Sequence, residues 1–174
     1  MNHAHTLAES QLRDASVRIT TARVKVLAAL LDARCAFSHH SIQEALVDID
    51  RVTLYRALDC LVDARLAHKI AGDDRIFRYS SGADHTQNND VSSASQQPVQ
   101  HQHSHFKCTR CTTVFCLDSS SGAKAMAHLT PDPARPQSTL WKQLEHVLEE
   151  TLAKGFQCHD VELTVKGWCA DCAA

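Results

Sequence analysis

The cysteine spacing in the second half of the chain constrains its fold more than any other feature. Two Cys-x-x-Cys pairs occur there, Cys108 with Cys111 and Cys169 with Cys172. Two residues between cysteines let both sulfurs of one turn face a single ion, and two such turns together offer the four tetrahedral thiolates that structural zinc favours. The pairs therefore predict one structural zinc that ties two distant segments together. A redox dithiol or a disulfide is the alternative interpretation of the pairs.

Length and composition favour two small domains. The chain has 174 residues, 44% of them hydrophobic, which suffices for one large or two small buried cores, and we expect two. It has no apolar run long enough to cross a membrane, and its first residues lack the basic and apolar stretches of a secretory signal. We therefore expect a cytoplasmic protein. In that reducing compartment the eight cysteines are better explained by metal ligation than by disulfides.

The two halves of the chain differ in charge. Residues 1–80 contain 11 Lys and Arg against 10 Asp and Glu, whereas residues 81–174 contain 7 against 10. The first half therefore carries +1 and the second −3, which add to the formal net charge of −2. The balance excludes a strongly basic nucleic-acid coat, and only the first half is suited to contact phosphates.

Three helices are predicted in the first half, each beginning at a polar residue that can cap it. The caps are Thr20 or Thr21, Ser41 with Glu44 in a capping-box pattern, and Asp50. Apolar residues at helical spacing give the first and third of these helices a buried face. Two short strand-like runs, HKIAG and RIFRY, follow on either side of a Gly-Asp-Asp turn and predict a β-hairpin. Helices followed by a hairpin indicate a winged helix-turn-helix.

This predicted domain, residues 1–80, offers a surface that could read DNA. In a helix-turn-helix, the second helix of the pair lies in the major groove with its first residues at the base edges. Here that helix carries Arg51, Thr53, Tyr55 and Arg56 away from its apolar stripe. Arg can bond guanine or phosphate, while Thr and Tyr can contact phosphates and thymine methyl groups. We therefore expect double-stranded DNA as a partner, with a solvated helix face as the alternative.

The remainder of the chain divides into a connector and a second domain. Residues 81–100 are dominated by polar residues and predict a flexible hinge or insert. Residues 101–174 contain strand-like runs around Phe106, at TTVFCL and at VELTV, and a helix that Ser138 could cap. The expected fold class is therefore α+β, with a winged helix-turn-helix followed by a small α/β domain that holds the four-cysteine zinc site.

Five segments, in chain order, resemble the ferric uptake regulator family of metal-sensing repressors. They are RITTARVKVLAALLD, HHSIQEAL, RVTLYRALDCL, HSHFKCTRC and GFQCHDVELTVKGWCADC. The resemblance spans nearly the whole chain except residues 81–100. It implies an N-terminal winged helix, a hinge and a C-terminal dimerisation domain, in a metal-loaded homodimer that binds a palindromic operator. It also implies that Cys108, Cys111, Cys169 and Cys172 are the structural zinc ligands.

The remaining imidazole and thiol groups indicate which metal is sensed. The histidines at 101, 103 and 105 alternate, so in an extended segment they project to one side and two of them can share an ion. The candidate regulatory ligands are His68, His101, His103, His105 and Cys116. Imidazole with thiolate favours zinc over a carboxylate-rich ferrous site. Where iron-sensing relatives would have a glutamate on the wing, this sequence has Arg78, a cation that would repel metal. The chain is thus most similar to the zinc uptake regulators of the family.

The function implied is that of a repressor with zinc as corepressor, controlling zinc uptake and homeostasis genes. Each chain would hold one structural zinc and at least one regulatory zinc. An iron- or peroxide-sensing member of the same family is the alternative. A zinc hydrolase is a further alternative, because the histidines and Cys116 could hold an open zinc. However, the sequence offers no evident general base and lacks the deaminase signature, so we expect no enzymatic activity.

Overall fold

A computed structural model of the chain describes residues 2–81, 104–117, 146–148, 150–152 and 163–174. The chain divides into two compact units, one comprising residues 1–86 with 110–115 and the other residues 87–109 with 116–174. Both units contain helices and strands among the described residues, and the predicted α+β class is confirmed. No helix in these ranges is both long enough and apolar enough to span a membrane.

Four helices and three strands form the first unit. In chain order they are α1 Asn2–Asp14, α2 Thr21–Asp32, β1 Phe37–Ser38, α3 His39–Ala45, α4 Arg51–Asp63, β2 Ala67–Ala71 and β3 Phe77–Ser81. The strands make an antiparallel sheet in the order β1-β3-β2, with Tyr79 opposite both Phe37 and Lys69. The helices pack on one another through a cluster of buried apolar side chains that extends from Ala4 to Tyr79. The predicted hairpin is confirmed as β2 and β3.

Local capping explains where α2 and α4 begin. The Thr20 side chain accepts a hydrogen bond from the backbone N–H of Arg23 at 3.3 Å. Asp50 accepts two, from the N–H groups of Val52 and Thr53, both at 3.0 Å. Each bond satisfies a donor that the first helical turn leaves without a partner in the helix. Both predicted caps are therefore confirmed.

The cap of α3 differs from the prediction. Ser38, and not Ser41, caps this helix, because the Ser38 Oγ accepts the backbone N–H of Ser41 at 3.0 Å. Ser38 lies in β1, where it pairs with Arg78 of β3, and this pairing keeps its backbone extended. The helix consequently begins at His39. A cap at Ser41 would have started it three residues later, at Ile42.

An ion pair fixes the turn between β2 and β3. The Arg78 guanidinium donates two hydrogen bonds to the Asp74 carboxylate, at 3.0 and 2.7 Å, and a third to the Thr112 hydroxyl at 3.1 Å. This guanidinium holds the pKa of Asp74 far below its usual range. Asp74 also accepts the backbone N–H of Ile76 at 3.1 Å, which closes the turn. Segment 110–115 is further bound to this unit through a 2.8 Å bond from Ala36 N–H to the Val114 carbonyl.

A second small sheet follows in the chain, with short helical segments. Strands β4 Ser104–Cys108, β5 Val114–Cys116 and β6 Leu163–Gly167 form it in the order β5-β4-β6, and β6 runs parallel to β4. Residues 146–148 and 150–151 are helical, and α5, Ala170–Ala173, ends the chain. The strands predicted around Phe106, at TTVFCL and at VELTV are therefore confirmed. The predicted cap at Ser138 lies outside the described residues.

Candidate metal centre and exposed helix face

Strand register brings the two cysteine turns together. Cys108 is the last residue of β4 and lies opposite Gly167, the last residue of β6. Past the ends of these strands, the N–H of Thr109 donates to the Gly167 carbonyl at 2.8 Å, and the N–H of Cys169 donates to the Cys108 Sγ at 3.4 Å. Two turns that follow neighbouring parallel strands thus meet at one end of the sheet. Cys169 also immediately precedes α5, whose first turn carries Cys172.

The four sulfurs of these turns lie within 4.8 Å of one another, and we call this group the thiol cluster: Cys108, Cys111, Cys169 and Cys172. Zn–S bonds of about 2.3 Å place the corners of a tetrahedral site about 3.8 Å apart, so this donor set fits zinc. Cys108 and Cys169 are buried, whereas Cys111 is exposed. The Cys111 thiol donates to the Thr113 hydroxyl at 3.1 Å, and a thiolate there would accept the same bond. No cysteine in the described ranges is joined to another by a disulfide bond.

A second pair of potential ligands lies on β4 and β5. A ring nitrogen of His105 and the Sγ of Cys116 are within 4.8 Å of each other. His105 is buried and Cys116 is half-buried, so a metal held there would be partly shielded from water. In the described part of the chain, neither this pair nor the thiol cluster is joined by an Asp or Glu. The donors are therefore thiol and imidazole groups, the set that suits zinc.

The other predicted regulatory ligands belong to other segments of the chain. His68 is a half-buried residue of β2, in the first unit, where it pairs with Ser80 of β3. His101 and His103 lie outside the described residues. Arg78, which we predicted to repel a metal, instead has only 9% of its side chain exposed and forms the ion pair with Asp74 described above. Its charge is neutralised within its own hairpin.

The first half of α4 exposes the residues predicted to read DNA. Arg51, Thr53, Tyr55 and Arg56 are exposed, and we call this set the α4 face. The opposite side of the helix buries three leucines completely and so fixes the orientation of the exposed side: Leu54, Leu58 and Leu61. The Arg51 guanidinium lies 5.8 Å from the centre of the Tyr55 ring, within cation–π range.

The α4 face has an apolar neighbour that sequence reasoning missed. Val52 is 59% exposed although it is the second residue of α4 and is flanked by the predicted contacts. A branched apolar side chain at this position can pack against a thymine methyl group in the major groove. Its exposure could have been predicted from its position, one residue after Arg51 and off the leucine stripe.

The thiol cluster makes this chain a candidate zinc protein of α+β fold. Solved structures of metal uptake regulators are similar to it. A zinc uptake regulator complexed with zinc and DNA is 22% identical, with a TM-score of 0.56 over 99% of this chain and 94% of that one. Holo XcZur is 23% identical, with a TM-score of 0.57 over 99% of both chains. The ferric uptake regulator Fur of Vibrio cholerae is 18% identical, with a TM-score of 0.51 over 92% of this chain and 98% of that one.

No family model and no curated protein matches the chain. At identities of 18 to 23%, structural likeness establishes a shared fold. The chain has the fold of the ferric uptake regulator family, including its zinc uptake regulators, as the sequence resemblance implied.

Proposed function

We propose that this protein is a zinc-responsive, DNA-binding transcriptional repressor of the ferric uptake regulator family that controls zinc uptake and homeostasis genes. The observation that carries this proposal is the donor set, in which thiol and imidazole groups gather without a carboxylate in the described part of the chain. That composition favours zinc over ferrous iron. The similarity to a zinc uptake regulator solved with zinc and DNA supports the same conclusion.

DNA binding is assigned to the first unit, as a winged helix-turn-helix. In this proposal α3 and α4 are the helix pair, α4 is the recognition helix, and the β2–β3 hairpin is the wing. Arg51 and Arg56 would contact guanine or phosphate, and Thr53 and Tyr55 would contact phosphates and thymine methyl groups. The exposure of all four supports these roles, because the leucine stripe of α4 directs them away from the core.

The metal sites are proposed to have different roles. The thiol cluster would hold a structural zinc in each chain, since four thiolates leave no coordination position open. The regulatory zinc would take its ligands from His68, His101, His103, His105 and Cys116. The closeness of His105 to Cys116 supports two members of that set. When bound there, zinc would select the conformation of the protein that binds DNA, so that zinc affinity and operator affinity are linked.

A homodimer on a palindromic operator is proposed as the active form. Strand β6 lies at an edge of its sheet in the described residues, and the nearby Val165 and Trp168 are 43% and 57% exposed. An open strand edge beside apolar side chains is suited to pairing with a second copy. A two-fold dimer would present two α4 faces to half-sites related by the same symmetry.

A DNA-binding titration tests the proposed function. The operator is first selected from a random duplex library by the zinc-loaded full chain, and binding is then measured with zinc, ferrous iron or manganese. Zinc is expected to restore binding to metal-stripped protein, and His103→Ala is expected to lose this response while it keeps the structural zinc. His5→Ala, at an exposed position of α1, is the matched control. Restoration of binding by ferrous iron alone would show that the zinc assignment is wrong and favour an iron or peroxide sensor.

A further inference from the structure

A histidine that the proposed function does not use is stacked on a residue of the α4 face. The His39 imidazole, at the start of α3, lies against the Tyr55 ring with centroids 3.7 Å apart and an interplanar angle of 19°. Arg51 lies near the same tyrosine ring, 5.8 Å from its centre. Tyr55 itself is 40% exposed. The tyrosine is thus held by a ring contact from α3 while part of its surface remains open.

The surroundings of His39 favour an uncharged ring that serves as a packing surface. Partial burial lowers the pKa of His39, and the positive charge of Arg51 and the neighbouring His40 lower it further. Its Nε2 atom is buried and has no hydrogen-bond partner among the described residues. A buried polar atom without a partner is costly. The stack on Tyr55 is the contact that would offset this cost.

We propose that His39 is a positioning residue for DNA recognition, whose imidazole holds the Tyr55 ring in one rotamer on the α4 face. This proposal rests on the proposed function. An exposed tyrosine on a helix can adopt more than one rotamer, and fixing it on DNA binding costs conformational entropy. The stack with His39 fixes the ring beforehand, so that the tyrosine contact to DNA is made without that loss. Helix α3 would thereby contribute to recognition without touching DNA.

The expected size of the effect follows from the energetics of ring pairs. An aromatic pair contributes up to about a tenfold change in an equilibrium constant beyond the area it buries. His39→Ala removes the ring and is expected to weaken operator binding by about five- to tenfold on that scale. His39→Phe keeps a flat ring and is expected to bind within about twofold of wild type. Rescue by phenylalanine separates the ring contact from any role that needs the imidazole nitrogens.

A double-mutant cycle tests the proposal in the zinc-loaded full chain, on the operator that the wild type selects. Tyr55→Ala should weaken binding, and His39→Ala combined with Tyr55→Ala should be no weaker than Tyr55→Ala alone. His40→Ala is the control, because His40 is the next residue of α3, has 83% of its side chain exposed and pairs with Glu44 at 3.4 Å. Thermal melts of every variant establish that the fold is intact.

Each outcome of the cycle decides the proposal. Unchanged binding by His39→Ala, or effects of the two substitutions that simply add, would overturn it. Loss of bound zinc from His39→Ala and His39→Phe, measured by metal analysis, would also overturn it, because the residue would then be a metal ligand. Failure of the wild type to bind DNA with zinc would refute the proposed function and this inference together. Normal wild-type binding with an unaffected His39→Ala refutes the inference alone.

Discussion

Removal of metal from the thiol cluster is expected to destabilise the pairing of β4 with β6 and to leave helices α1 to α4 folded. The reason is the distribution of buried apolar side chains. In the described residues, the hydrophobic core extends from Ala4 to Tyr79, entirely within the first unit. Beyond Tyr79 the buried apolar residues of the described ranges are Cys108, Val114 and Cys169, and two of these are members of the thiol cluster.

The free energies of apolar burial and of zinc binding indicate that metal binding decides the stability of the sheet that contains β4 and β6. Burial of one ordinary apolar side chain contributes about 1.5 to 3 kcal/mol. Structural zinc in small thiolate sites contributes about 10 to 16 kcal/mol, which exceeds the net stability of about 5 to 15 kcal/mol of most domains. Without zinc, the ends of β4 and β6 are joined chiefly by the hydrogen bonds that precede the cluster, such as Thr109 to Gly167 at 2.8 Å. Thr109 is exposed, so its bond to Gly167 is open to competition from water.

Amide hydrogen exchange of the full chain measures this effect element by element. With a strong chelator, or with Cys108→Ser, the amides of β4 and β6 are expected to exchange rapidly, while those of α4 remain protected. Cys60→Ser is the matched control, since Cys60 is a free thiol of α4 outside the cluster. Protection of β4 and β6 that persists after zinc has been removed would refute the reasoning.

Three further predictions concern the first unit. Leu58→Ala is expected to lower its free energy of unfolding by about 2 to 5 kcal/mol in urea titrations, because Leu58 is fully buried in α4, and a smaller loss would mean that the site collapses around the cavity. Arg56→Ala is expected to reduce the slope of log binding constant against log salt by about one if this residue contacts a phosphate, and an unchanged slope would exclude that contact. His39→Phe should flatten the pH dependence of stability, because the pKa of His39 in the folded state is below its ordinary value of 6.5. The contribution of His39 to stability is therefore present above pH 6.5 and is lost as the pH falls from that value toward the folded-state pKa. Equal acid sensitivity of His39→Phe and wild type in thermal melts would contradict this assignment.

Features that depend on neighbours in the sequence could be predicted. The caps Thr20 and Asp50 bond to N–H groups two or three residues further on, so the sequence contains all the partners. The cysteine spacing likewise predicted a four-sulfur group, since each pair forms one turn. The leucine stripe of α4 was predicted for the same reason, because helical periodicity is a local property.

Features that depend on distant pairing could not be predicted. The cap at Ser38 depends on the pairing of β1 with β3, which joins Ser38 to Arg78. Arg78 was predicted to repel a metal. Its bonds to Asp74 and Thr112 could not be foreseen, because they require a closed turn and a residue 34 positions away. Helix α1 was not described from the sequence, because its buried stripe includes two alanines, whose apolar signal is weak.

The two donor sets imply an order in which metal is lost. Four thiolates enclose an ion completely, whereas a site that combines imidazoles with one thiolate has fewer charged ligands and holds its metal less tightly. A chelator of moderate strength should therefore remove the regulatory metal first, and the protein should lose operator binding while the amides of β4 stay protected. Only a stronger chelator should reach the thiol cluster. If both sites lost zinc at the same chelator strength, loss of DNA binding could equally follow from loss of the β4–β6 pairing. The separation of sensing from structure proposed for these sites would then be wrong.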